Sequence, residues 1–311
     1  MTAGITWDVR AHGPVAARNT GGSRSRQGHR ATPDVPVDGS DRWIQAKNRD
    51  PMSKPAGRCI FCGGGNLSKE HIFPDWLQQY VPRTEARTDH RLNRGIEPAF
   101  GRSDFEPGKL TNNGDLASRK LRVACEKCNN GWMSRLQMAA KPLLVPFIAG
   151  GWPPLSMEEA RIIAAWATMF SMVFEWADPT TAVIPQQQRT KFSDQSDDMR
   201  APPSSDWSVY IGHQRLFCTD VAHTGVLGAG TTAPLSVTRI AITTLGIGSL
   251  VLHTVMMRAP GLEVPPLYGK DLHLRLLWPY AGASSRPPVI TNAMWLKILC
   301  QLRGEIVRLA R

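Results

Sequence analysis

Acidic side chains are in short supply in this chain: 26 Asp and Glu stand against 37 Lys and Arg in 311 residues, a formal net charge of +11. That balance favours a polyanionic partner, nucleic acid first and an anionic membrane surface second. Unbroken apolar stretches are lacking too. The charge-free run Ile240 to Met257 has the 18 residues that would test for a membrane span. Gly246 and Gly248 break it, and Thr243, Thr244 and Ser249 are polar, so it reads as a β-hairpin and excludes a spanning helix there. Residues 1–57 have no continuous apolar segment of the secretory kind. The expectation is a cytoplasmic protein with no membrane partner. Cysteine is sparse as well. Six in a chain of this length exclude the dense disulfide framework of a small secreted scaffold.

Large apolar side chains are also scarce in residues 1–57, where only Ile5, Trp7, Trp43, Ile44 and scattered valines stand out. No period of 2 or 3.6 runs through the segment, and Gly, Arg, Pro, Ser and Asp dominate it. We read it as a disordered basic tail. Met52 lies shortly before the first cysteine pair, so either Met1 or Met52 is the native start.

What is present is concentrated between Cys59 and Trp132. Cys59-Ile60-Phe61-Cys62 opens the stretch and Cys125-Glu126-Lys127-Cys128 closes it. A C-x-x-C pair places two thiolates on one tight turn, and two such pairs complete the four-sulfur shell of structural zinc. Gly63-Gly64-Gly65-Asn66 supplies the positive φ angles that the first turn needs. Between the pairs lies Lys69-Glu70-His71-Ile72-Phe73-Pro74. On a strand, Glu70 and His71 point to opposite faces, so one can hold a metal while the other addresses a water or substrate. Asn129, directly after the last cysteine, supplies a neutral oxygen. Glu70 and Asn129 together offer two oxygens to a hard ion such as Mg²⁺, which keeps several waters.

C-x-x-C, then acid-His-Ile-x-Pro, then C-x-x-C-Asn resembles the HNH nucleases of the His-Me finger (ββα-metal) superfamily. It is most similar to the branch stapled by a four-cysteine zinc, as in phage junction-resolving endonucleases. The resemblance covers roughly residues 57–140. It implies His71 as general base, Glu70 and Asn129 as ligands of a catalytic Mg²⁺ or Mn²⁺, and Cys59, Cys62, Cys125 and Cys128 around a structural Zn²⁺. It also implies DNA as the partner, with hydrolysis to 5′-phosphate and 3′-hydroxyl ends. Two departures stand out. Glu70 replaces the more usual Asp, and the strand Arg119-Lys120-Leu121-Arg122-Val123-Ala124 lacks an Asn that many members use to orient the catalytic loop. Asn112 or Asn113 are the available substitutes. The alternative reading is a catalytically inactive, zinc-dependent DNA-binding protein.

The expected fold class is α+β: a zinc-stapled ββα-metal module over 58–141, then a separate α+β domain over 142–311, with a role such as target recognition. Pro74 starts a short helix. Residues 83–120 read as a polar loop, either a phosphate-gripping insertion or a solvated one, and Arg119, Lys120 and Arg122 are the candidate nucleic-acid contacts. Trp132, Met133, Leu136 and Ala140 share one helix face, and Lys141-Pro142 is expected to end that helix. Ser156 and Glu159 make a capping box, followed by an apolar helix to about Asp178. Strands are expected at 207–211, 236–243 and 249–257, and a last helix from about 292 to 310. Cys218 and Cys300 read as small buried residues. His213, His223, His253 and His273 read as structural, with no ligand spacing or paired acid.

Overall fold

The computed structural model describes residues 57–80, 87–96, 105–107, 120–215, 220–229, 237–258, 273–282 and 285–291. They belong to one compact unit spanning 50–311 and form an α+β fold. The N-terminal tail, Cys218, Cys300, Asn112, Asn113, Arg119 and the helix expected at 292–310 lie outside the described residues.

The first elements are small. Strand β1 (Glu70–His71) pairs antiparallel with β4 (Lys120–Leu121). Helix α1 (Asp75–Gln78) starts directly after Pro74, as the sequence suggests. Residues 83–120 are not simply loop: β2 (Arg87–Ile96) and β3 (Phe105–Pro107) lie inside them. This β2 pairs in parallel with β6 (Asp220–Ala229) over ten positions. The polar composition of 87–96 hid the strand, because its pairing partner is far away in sequence and local pattern carries no record of it.

Helix α2 (Glu126–Cys128) leads through a π-type turn, Asn129–Met133, into α3 (Ser134–Ile148). Pro142 does not stop α3. Both Pro142 and Pro146 lie within it, each costing about 3 kcal/mol in an ordinary helix interior. Burial of Leu144, Phe147 and Ile148 offsets that cost, at about 1.5–3 kcal/mol per large apolar side chain. The helix ends against a hairpin instead: Ser249 N–H donates to the Ile148 carbonyl at 2.9 Å. The division drawn at 141/142 therefore falls inside a helix.

Helix α4 (Met157–Phe174) begins with the expected capping box of Ser156 and Glu159. From Ile162 onward it carries no charge and is buried on almost every side, as such a helix must be. Trp166 and Phe170 stack at 5.6 Å, and Phe170 and Phe174 at 5.6 Å. That ladder meets Phe73 (5.7 Å from Phe170) and Trp76 (6.3 Å from Trp166), the residues just past β1. One apolar core thus runs from the first cysteine turn to the large sheet.

That sheet runs β10–β5–β8–β7–β6–β2–β3, with β9 also on β5. Its further strands are β5 (Trp207–Gln214), β7 (Val237–Ile247), β8 (Leu250–Arg258), β9 (Arg275–Trp278) and β10 (Val289–Ile290). The run 240–257 is the expected hairpin, turning at Gly248-Ser249. Among the described residues, no helix is long and apolar enough to cross a membrane.

A buried polar knot holds the connection after α4. The Glu175 carboxylate accepts from the backbone N–H of Val183 (2.6 Å) and Ile184 (2.8 Å) and pairs with Arg189. His223 Nε2 lies 3.7 Å from the same carboxylate, so this histidine has a paired acid that the sequence did not reveal. Burial pushes both His223 and His253 down to about 3, so both are neutral. The knot sets the start of α5 (Gln186–Ser193).

Among the described glycines, Gly248 leaves the least room for a side chain. Its φ is +54°, and a Cβ there would stand 2.5 Å from the Ile148 carbonyl oxygen. Gly248→Ala is expected to destabilise the fold by about 2–4 kcal/mol. Thermal unfolding checks this, and an unchanged Tm would show that the hairpin does not seat on α3.

Candidate metal centre

The first cysteine turn is closed by Cys59 N–H to Gly64 O (2.8 Å) and Gly63 N–H to Cys59 O (3.0 Å). Gly63 (φ +72°) and Asn66 (φ +57°) take the left-handed conformations expected of this tip. The second turn sits at the start of α2, with Cys125 just before its first residue. The turns are laced together. Ile60 N–H donates to Val123 O at 2.8 Å, Ser68 N–H to Ala124 O at 3.0 Å, and Glu126 N–H to Asn66 O at 3.1 Å. The Asn66 amide also donates to the Glu126 carboxylate at 2.8 Å.

This brings the four sulfurs of Cys59, Cys62, Cys125 and Cys128 within 4.8 Å of one another. Cys62 and Cys125 are 3.5 Å apart, and none of the four is in a disulfide. A tetrahedral zinc with Zn–S bonds of about 2.3 Å needs sulfur separations of about 3.8 Å, so the donor set fits that ion. Its protonation chemistry agrees. The Cys128 thiol donates to Cys59 and pulls the Cys59 thiol down to about 4, while Cys128 itself is pushed up. Without a cation the cluster resists holding several thiolates at once. A divalent soft-to-borderline ion removes that penalty.

The cluster is braced from outside. On α5, the Gln186 amide donates to Ile60 O (2.8 Å) and the Thr190 hydroxyl to Phe61 O (3.3 Å). Trp132 packs edge-on to Phe61 (4.9 Å) and Phe192 (5.5 Å), with the Arg200 guanidinium 4.4 Å from its ring centroid.

Beside the cluster, β1 separates its two side chains as alternation requires. Glu70 is buried at 6 % exposure, and His71 is half-buried. Glu70 Oε1 accepts from the Gln137 amide of α3 at 3.1 Å. Burial pushes the Glu70 carboxyl up to about 7, against the downward pull of the Gln137 and Asn129 amides. Asn129 is therefore brought against Glu70, and its Nδ2 also donates to Ser68 Oγ at 3.0 Å. It stands at the opening of the π-type turn, where the chain kinks at Gly131.

His71 faces α1. Its Nδ1 is 3.2 Å from the Gln78 amide nitrogen and its Nε2 is 3.4 Å from Asp75 Oδ1, while that amide donates to Asp75 at 2.8 Å. Lys69, Lys120 and Arg122 are exposed along β1 and β4, and Arg122 reaches the Leu67 carbonyl at 3.5 Å. Sequence reading missed Ser68, Asp75, Gln78 and Gln137. Asp75 and Gln78 had a usable signal, since they lie four and seven residues after His71 on a helix starting at Pro74. Gln137 had none, because only the kink at Gly131 decides which α3 residue faces Glu70.

No protein-family model, curated protein or solved structure matches the chain.

Two measurements test the site. Purified protein is expected to carry one zinc per chain, and Cys125→Ser to unfold this region, because structural zinc contributes on the order of 10 kcal/mol to such folds. Folded, metal-free wild-type protein would contradict this. The second concerns Glu70. Its carboxyl titrates near 7 when folded and near 4.5 when unfolded, so between those values the native state keeps a proton that the unfolded chain has lost. Stability of zinc-loaded protein without Mg²⁺ should therefore fall as pH rises from about 4.5 to about 7. Glu70→Gln should remove that slope and gain on the order of 1–3 kcal/mol at pH 8. Parallel melting curves for the two proteins would refute it.

Proposed function

We propose that the chain is a metal-dependent HNH-type endonuclease that hydrolyses phosphodiester bonds in DNA, with Cys59, Cys62, Cys125 and Cys128 holding a structural zinc. The observation that carries the reading is the arrangement on β1. Glu70 is buried against Asn129, and His71 is turned to the other, half-exposed side, beside a four-sulfur cluster. The antiparallel pair β1–β4 followed by α2 and α3 supports it, since that order is what a ββα-metal module requires.

In this reading Glu70 and Asn129 hold the catalytic ion. A Mg²⁺ or Mn²⁺ bound there supplies Lewis-acid stabilisation of the charge on the phosphate and the leaving oxygen. The rest is done by the chain. Asp75 Oδ1, 3.4 Å from His71 Nε2, favours the tautomer that keeps its proton on Nε2 and leaves the lone pair on Nδ1. An incoming water takes the place of the Gln78 amide at Nδ1, and that amide keeps its bond to Asp75. His71 then removes the water proton as the oxygen attacks phosphorus, and the bond to the 3′ oxygen breaks to leave a 5′-phosphate and a 3′ oxygen that takes a proton from solvent to become the hydroxyl. In this reading the exposed Lys120 and Arg122 hold flanking phosphates, with Arg119 added from sequence.

One observation favours a second reading, an inactive zinc-dependent DNA-binding protein: both ring nitrogens of His71 already have partners on α1. Plasmid DNA incubated with the protein and Mg²⁺ or Mn²⁺ separates the two. The nuclease reading expects cleavage, lowered about 10²–10⁴-fold in His71→Ala, with zinc content and DNA binding retained. A wild type that shifts DNA in a gel but never cuts it decides for the binding protein. A His71→Ala variant that cuts at the wild-type rate places the base elsewhere.

A further inference from the structure

Glu70 offers two carboxylate oxygens, and the structure shows what happens to one of them. Oε1 accepts a hydrogen bond from Gln137 Nε2 at 3.1 Å. Gln137 is half-buried on α3, two turns beyond Asn129, and is the partner that reaches Glu70 from the helix body. The Asn129 amide nitrogen is similarly engaged, donating to Ser68 Oγ at 3.0 Å. The Asn129 amide also faces the Glu70 carboxylate, so the acid and the amide stand together, each carrying oxygen. Oxygen is the type of ligand a hard divalent cation takes.

We infer that Gln137 is a positioning residue of the divalent-cation site: its amide holds the Glu70 carboxylate in one orientation beside Asn129. This deepens the nuclease reading and rests on its assignment of Glu70 and Asn129 to one ion. A neutral donor suits the place, because it satisfies the buried carboxylate without cancelling the charge that draws the ion.

The test is Mn²⁺ binding to full-length, zinc-loaded protein, read by electron paramagnetic resonance and by the rise in Tm on adding Mn²⁺. Cleavage is not part of the readout. Wild type is expected to bind one Mn²⁺ in a way that Glu70→Ala abolishes. Gln137→Leu removes the donor and should weaken binding about 10-fold or more, the usual effect of losing a partner of a metal ligand. Gln137→Glu places a second carboxylate against the first. It should lower the Mn²⁺-free Tm by like-charge repulsion and bind Mn²⁺ more tightly than wild type, with a larger Mn²⁺-induced rise in Tm. A merely structural glutamine would lower Tm in both variants and leave Mn²⁺ affinity unchanged, which overturns the inference while leaving the Glu70–Asn129 site standing. Mn²⁺ binding that ignores Glu70→Ala overturns the inference and the assignment of the ion together.

Discussion

Four sulfur atoms drawn within 4.8 Å are an electrostatic demand before they are anything else. Thiolates at that spacing repel, and thiols at that spacing leave a polar cluster among buried apolar residues. A divalent cation held there would meet both difficulties, and the two cysteine turns stand where such an ion would require them. Everything next to them follows. The backbone bonds from Ile60 to Val123 and from Ser68 to Ala124 carry the constraint into β1 and β4. Asn129, one residue past the last sulfur, inherits its place from Cys128. The acid and the amide meet because the sulfurs do.

The remainder of the chain acts as a frame for that small region. The Trp166–Phe170–Phe174 ladder of α4 backs Phe73 and Trp76, so the segment holding Glu70 and His71 is pressed from behind by a helix more than eighty residues later in sequence. The Glu175–Arg189–His223 knot works at longer range. A buried ion pair is seldom a net source of stability against a well-packed apolar substitute. Here it fixes a bend, and the bend delivers Gln186 and Thr190 to the carbonyls of the first cysteine turn. The charge is kept where it sets direction, not where it adds strength.

Much of this was legible in the residues alone. The C-x-x-C pairs, the opposed faces of Glu70 and His71, the capping box at Ser156 and the hairpin within 240–257 each rest on local spacing, and local spacing is what sequence records. The failures share the opposite property. Pro142 reads as a helix stop because its missing N–H is local, whereas the apolar burial that outweighs it comes from α4. Strand β2 has a strand's pairing without a strand's composition. Gln137 could not be chosen over its neighbours on α3 until the kink at Gly131 set the phase of the helix. His223 and Glu175 are 48 positions apart, and no spacing rule connects them.

The parallel pairing of β2 with β6 has a consequence for how such a chain is made. Residue 87 emerges from the ribosome long before its partner, residue 220. Through that interval the insertion between β1 and β4 has no neighbour for one edge of its backbone, and the Ile148 carbonyl waits in the same way for Ser249. The four cysteines, by contrast, are all available once residue 128 has appeared. The partners of Glu70 and His71 follow closely, the last of them being Gln137, and the helix that backs Phe73 and Trp76 comes with residues 157–174. A chain broken off after α4 would thus hold all four sulfurs and the backing of Phe73 and Trp76, while β2 would still lack β6 along one edge.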